Sequence, residues 1–418
     1  MLSAAALITP PTFNQLPPAL LKSAADSRGK LAGYNAHSGT RFDRVAVPAP
    51  HPQSHTMKRA TVVSCTRRRF LTASCAATLT APHVITAAKG SSSSVVGEGA
   101  HRFQIDHQWA QLPDRFQWQT THNVAIDRNQ HLYVIHEGDP ARKDHPTIFV
   151  FDHTGRYVRS FGKQFQGGGH GIEVREEEGE EFLYVCAYQH LKTFAKLSLT
   201  GEVVWQKHAP IKAGGYAQGE ASNPQKVWGR DRFMPTNFAF LPDGDFLLAD
   251  GYGSWRIHRY DRDGNWKYTF GGPGEKPGQF NLPHGIWFDQ RPGRDPLVII
   301  ADRAHHTLQY VTLEGTHVET LSGFGLPANL DTHGELLLVP ELYARVSLLD
   351  KNNQVVARLG DDVQRIRSDN KFAIRQDEKQ WQSGRFIHPH DACFDQAGNI
   401  FVAEWVASGR ITRLQRLS

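Results

Sequence analysis

The chain of 418 residues is short of cysteine, of helical pattern and of long apolar runs. Four cysteines cannot make a disulfide framework for a protein of this length. Cys65 and Cys75 fall in a basic-then-apolar segment. Cys186 and Cys393 sit singly inside apolar strands of different repeats and read as small buried hydrophobes. Apolar residues recurring at helical spacing are nearly absent. Outside one signal-like segment, no apolar run is long enough to cross a bilayer. The net charge of +5 is set partly by the basic N-terminal region, and no basic stripe is interleaved with aromatics. Neither nucleic-acid binding nor membrane residence of the mature chain is expected.

What is present is repetition. LPHGIWFD, from Leu282 to Asp289, recurs in altered form as GGHGIEV from Gly168, HPHDACFD from His388, TTHNVAID from Thr120 and MPTNFAFL from Met234. A weaker copy, GLPANLDTHGELLLVPEL, starts at Gly325. Each copy leads into a turn, such as Asp243-Gly244 or Ala397-Gly398, and an apolar strand, and then a third strand ending in a polar turn such as Asp263-Gly264 or Glu314-Gly315. Six such repeats predict an all-β chain folded as a six-bladed β-propeller. The last repeat supplies three clear strands, and FQIDHQWAQLP, Phe103 to Pro113, has no partner. That segment is expected to add the outer strand of the last blade and close the ring. Two insertions, Lys207 to Phe233 and Asp361 to Arg385, are expected to border the binding face, the second partly as helix. The acid run Arg175 to Glu181 reads as a solvated hairpin. Trp118, Trp205, Trp255, Trp266 and Trp287 read as packing between blades.

The first hundred residues read differently. Thr66-Arg67-Arg68-Arg69-Phe70-Leu71 resembles the twin-arginine export motif, followed by an apolar segment to Ile85 and small residues at Ala87 and Ala88. The expected organisation is an over-long extension over 1–56 with Met57 as the true start, a signal peptide over 57–88, a linker over 89–100 and the propeller over 101–418. Residues 1–100 are expected to be disordered or removed. A periplasmic or secreted location follows.

Aligned on the turn before the innermost strand, the repeats place His122, His170, Thr236, His284, Ala328 and His390 in one slot. In a propeller, such positions ring the central channel. Several imidazoles around one axis suit Zn²⁺, with three ligands and an open position as the catalytic arrangement.

The repeats look like NHL repeats. From about residue 103 to 416 the chain resembles the peptidyl-α-hydroxyglycine α-amidating lyases. That resemblance implies zinc on His170, His284 and His390, whose motifs match the family's three in order. It implies a base role for Tyr252 in Asp250-Gly251-Tyr252 and an active-site role for Arg303 in Asp302-Arg303. It implies a structural calcium on Asp391 with backbone carbonyls near Val124 and Ile172.

The chain also departs from that pattern. Glu137 stands where the family has an arginine that should hold a substrate carboxylate, and an anion there would repel it. Gly253 replaces a cysteine, His388 replaces a methionine, and His122 is an added histidine in the slot. Two readings follow. One is an exported metal-dependent lyase with altered specificity, its small-molecule or peptide substrate in the channel. The other is a non-enzymatic propeller binding a protein, peptide or glycan on its loop face. A lactone- or sugar-acting hydrolase would need paired carboxylates that the slot lacks. Nothing in the sequence fixes an oligomeric state.

Overall fold

The computed structural model describes residues 94–369 and 372–417. Six antiparallel sheets are arranged as the blades of a β-propeller. Their innermost strands are Thr121–Ile126, Gly169–Glu177, Asn237–Phe240, Pro283–Asp289, Asp331–His333 and Pro389–Phe394. The expected fold class is therefore the observed one. The extension and the signal peptide lie outside the described residues.

The ring closes through the segment expected to close it. Phe103–Asp106 pairs with Arg410–Arg416, the third strand of the sixth blade. One detail corrects the domain boundaries. Ser94–Val96, expected as linker, is a fifth strand of that blade, with Val95 opposite Gln104. Consecutive valines favour extended backbone, and the outer edge of the closing strand was free to pair.

Six apolar clusters fill the six blade interfaces. Between blades three and four, Ile300 packs with Ala239, Leu247 and Ile286. Its neighbour Ile299 points the other way, into the cluster of blades four and five with Leu330 and Val339. Side chains alternate along a strand, and both faces of each blade are buried, so LVIIAD is apolar throughout. Trp205 and Trp266 pack between blades two and three, Trp287 between four and five, and Trp118 between six and one. Trp255 instead lies under the Arg230 guanidinium, 3.9 Å from its ring centre. The acid run is a hairpin turning at Glu178-Gly179, both at positive φ. Cys186 and Cys393 are buried free thiols.

Both insertions run from the outer strand of one blade to the start of the next inner strand. In the first, Glu220 is buried against Lys192 at 2.7 Å and accepts from Arg232 at 3.1 Å. In the second, short helices Val363–Ser368 and Ala373–Gln376 pack Ile366 and Ile374 onto Ala344, Ile387 and Val406.

Candidate metal centre

Each of the four slot histidines is the second residue of its inner strand, and each sits at a break in the ladder. The register shifts between Thr121 and Asn123, Gly169 and Ile172, Pro283 and Gly285, and Pro389 and Asp391. No such shift marks the pairs of inner strands in the third and fifth blades, whose slots hold Thr236 and Ala328. A bulge leaves its residue unpaired and re-aims the side chain. The repeats bring all four imidazoles into one buried group. Ring centres lie 4.7 Å apart for His122–His170, 4.8 Å for His170–His284, 4.7 Å for His284–His390 and 4.7 Å for His390–His122. The diagonal His170–His390 is 5.0 Å.

Three of the rings follow one rule. The Nδ1 of His170 donates to the Thr236 carbonyl at 2.9 Å, that of His284 to Ala328 at 2.7 Å, and that of His390 to His122 at 3.0 Å. Each acceptor is the slot residue of the next blade. A carbonyl can only accept, so Nδ1 carries the proton and Nε2 presents a lone pair. Burial, the largest influence on all three, holds them well below the ordinary histidine pKa, so they are neutral. Yet Nε2 of His284 lies 3.1 Å from Nε2 of His170, lone pair toward lone pair, and buried Nε2 of His390 has no partner among the described residues. Opposed lone pairs this close call for a cation between them. This donor set fits zinc, with each ring oriented by a backbone carbonyl behind it. The ligand nitrogens of His122, His170 and His390 lie within 4.8 Å of one another, a triad that has His170 and His390 in common with the one the resemblance implies.

The glycines after two of these histidines are required by close approach. A Cβ at Gly285 would stand 2.5 Å from the Asn329 Cα, and one at Gly171 2.6 Å from the Cys186 sulfur.

Tyr252 and Arg303 join the same group. The Tyr252 hydroxyl lies 3.0 Å from His284 Nε2 and 3.4 Å from His170 Nε2, and accepts from Arg303 at 3.2 Å. Asp250 holds the turn by accepting from the amides of Met234 at 2.6 Å and Ser254 at 2.9 Å. Gly251 is pressed against the Pro283 carbonyl and Gly253 against the Arg232 carbonyl, so neither position has room for a side chain. Arg303 is buried, and its second terminal nitrogen has no partner among the described residues. Burial raises the Tyr252 pKa and outweighs the opposing pull of Arg303. The arginine alone therefore does not activate the phenol.

Glu137 and His122, both departures from the family pattern, face each other at 3.6 Å. Glu137 also accepts from Gln189. Burial pushes its carboxyl up, but His122, Tyr188 and Arg375 together bring it below the usual range, so it is ionised. His388 is not drawn into the imidazole group. Its Nδ1 donates to Leu342 at 2.6 Å and its ring packs on Trp405 and Phe372.

Asp391 points away from the histidines. It accepts from the Val124 amide at 2.8 Å, from the Asn329 side chain at 2.6 Å and from the Ala392 amide at 2.8 Å. With Glu173 and Asp331 it lines a cavity of about 310 Å³ reached from the far ends of the inner strands. All three carboxyls are pushed up, first by burial; Glu173 and Asp391 are raised further by acidic neighbours. The Asn237 side-chain oxygen nearby has no partner among the described residues. This all-oxygen set, short of positive charge, suits Ca²⁺.

Several residues here had no motif to announce them. Tyr188 lies 5.1 Å from the His170 ring and 5.3 Å from that of Tyr252. Trp228, from the first insertion, lies 5.4 Å from Tyr252. Arg375, from the second, donates to Trp405 at 2.9 Å and Thr120 at 3.0 Å, beside Glu137. Asn123, Asn237 and Asn329 could have been found, since each follows the slot in an odd-numbered blade.

No family profile matches the chain. It is 25% identical over 280 residues to peptidyl-α-hydroxyglycine α-amidating lyase 1 of Drosophila melanogaster, covering 60% of this chain and 45% of that protein. It is 24% identical over 211 residues to peptidyl-glycine α-amidating monooxygenase B of Xenopus laevis, covering 44% of this chain and 22% of that protein. The chain thus spans less than half the length of both relatives. Among solved structures, a streptogramin B lyase aligns with a TM-score of 0.48 at 12% identity, over 75% of this chain and 97% of that one.

Proposed function

We propose that this propeller is a metal-dependent enzyme of lyase type, acting on a small-molecule or peptide substrate that enters the channel from the histidine end. One observation carries the reading: a guanidinium and two imidazole nitrogens converge on the Tyr252 phenol oxygen. A zinc ion on His170, His284 and His390 would supply a Lewis-acid charge beside that oxygen and favour its ionised form.

The remaining steps belong to the chain. Tyr252 takes the proton of a substrate hydroxyl. Arg303, with a donor to spare, holds the oxygen on which charge develops. Tyr188 and Trp228 keep water from the phenol. By similarity to the amidating lyases, the substrate is an α-hydroxyglycine or a related hydroxylated amide. Loss of the hydroxyl proton lets the carbon–oxygen double bond form as the carbon–nitrogen bond breaks. The nitrogen receives a proton, and an amide and an aldehyde leave. Glu137 in place of the family arginine disfavours a substrate carboxylate at that wall, so a substrate with a neutral group there is preferred. A calcium ion by Glu173, Asp331 and Asp391 would serve structure at the opposite end. The order of basic, apolar and small residues over 66–88 supports export to the periplasm or beyond.

The test is turnover of an α-hydroxyglycine peptide and of its carboxamide analogue by zinc-loaded parent and by Tyr252→Phe. Release of the amide product by the parent, faster from the carboxamide and lost in the variant, supports the reading. A metal-loaded parent inert on both leaves the alternative of a binding propeller, which the loss of the arginine at Glu137 would favour.

A further inference from the structure

The four imidazoles form a rhombus, not a triangle with a bystander. His122 meets His170 and His390 at the spacing with which His284 meets them. What sets His122 apart is its backing. The rule of the other three rings would send its Nδ1 to the carbonyl of the next slot, that of His170. The His170 carbonyl instead accepts from the Asn123 amide, which, turned so that its nitrogen donates, reaches the carbonyls of His122 at 3.1 Å and His170 at 3.2 Å. His122 is left with two buried nitrogens that have no hydrogen-bond partner among the described residues. Facing its Nε2, at 3.6 Å, is a carboxylate fixed in place by Gln189, so that in this ring Nδ1 would be the ligand nitrogen and Nε2 the backed one.

We infer that His122 is a fourth metal ligand, and that Glu137 is the carboxylate that orients it, taking the part that backbone carbonyls play for the other three. This rests on the metal reading above and extends it. A histidine backed by a carboxylate is a better donor than one backed by a carbonyl, because the anion stabilises the positive charge that ligation places on the ring. The consequence is chemical. Three imidazoles with an open position make a tetrahedral site; four leave room for substrate only if the ion accepts five or six ligands. The pair His122–Glu137 therefore biases this centre toward higher coordination numbers. It also gives the anion beside the metal a part besides its effect on the substrate wall: Glu137 faces a ligand.

The experiment is X-ray absorption on the full chain loaded with zinc and, separately, cobalt, counting imidazoles from their outer-shell scattering. The parent is expected to show four, and His122→Ala three. Glu137→Gln, which keeps the shape of the side chain, is expected to weaken metal affinity about 10–100-fold, measured by chelator competition. Three imidazoles in the parent, unchanged in His122→Ala, would overturn the inference and leave the three-histidine centre standing. A parent that retains no metal after loading would overturn both. The parent's spectrum decides even if His122→Ala fails to fold.

Discussion

His390 donates its Nδ1 proton to the main-chain carbonyl of His122 at 3.0 Å, across 268 positions of sequence. The bond ties the slot of the last blade to that of the first. One ring of the proposed centre is thus oriented only when the propeller has closed, and closure depends on Phe103–Asp106 pairing with Arg410–Arg416. On the proposed metal reading, affinity and propeller closure are linked, and metal binding should stabilise the closed ring.

Elemental analysis of the purified chain should find about one zinc at the histidine group, and His170→Ala should lose it. His170 faces His284 at 3.1 Å and also belongs to the group it forms with His122 and His390, so without it neither set of three imidazoles is complete. Equal zinc in parent and variant would place the metal elsewhere.

Tyr252→Phe should retain the metal and lower kcat on a turned-over substrate by about 10²–10⁴-fold, the usual worth of a positioned acid–base group. Its hydroxyl contacts His284 and Arg303 but is not one of the ligand nitrogens. A variant as fast as the parent would remove Tyr252 from the chemistry.

Gly285→Ala should destabilise the fold by about 1–3 kcal/mol, since the new methyl has to displace backbone 2.5 Å away. A denaturant midpoint unchanged from the parent would show that blades four and five can separate there at no cost.

Lys192→Met strands Glu220 in a site where both partners are fully buried. Removing one member of such a pair costs about 3–5 kcal/mol, here toward the lower end because Arg232 remains on Glu220. Limited proteolysis should cut within 207–233 sooner than in the parent. An unaltered cleavage pattern would mean that Lys192 does not hold that loop.

His136 is locked neutral. It accepts from the Gln119 amide at 3.2 Å and donates to the Pro146 carbonyl at 2.9 Å, so a second proton has no place. Burial lowers its pKa to about 3. The unfolded chain takes up that proton below about pH 6.5 and the folded chain does not, so stability falls as pH drops from 6.5 toward 3. At pH 5 this one group accounts for about 2 kcal/mol. Urea midpoints of His136→Gln should decline less steeply over that window than those of the parent.

Much of this was legible before any coordinates. The strands of LVIIAD and NIFVAEWV, the turn glycines and the recurring slot follow from rules that act over a few residues, and six repeats of them leave a closed ring of blades as the economical solution. Aligning the repeats put His122, His170, His284 and His390 in one slot, and the resemblance to the amidating lyases singled out three of them together with Tyr252 and Arg303. Trp228 and Arg375 were not, because they come from insertions without periodicity, and an insertion's path depends on what it packs against. Ser94–Val96 was missed because a strand of three residues shows itself only when a partner edge is available.

Local order of residue types decided that the blades form and that histidines recur at the start of their inner strands. It could not decide which nitrogen each ring presents. That depends on the carbonyl of the following blade, on a bulge that frees the side chain, and for His122 on the carboxylate of Glu137 that its ring faces. It could not separate Asp391 from His390 either, adjacent in sequence yet facing opposite ends of the channel. The physical reason is the same in each case. Hydrogen-bond partners across the channel come from distant parts of the chain, and only closing the ring sets their distances and directions.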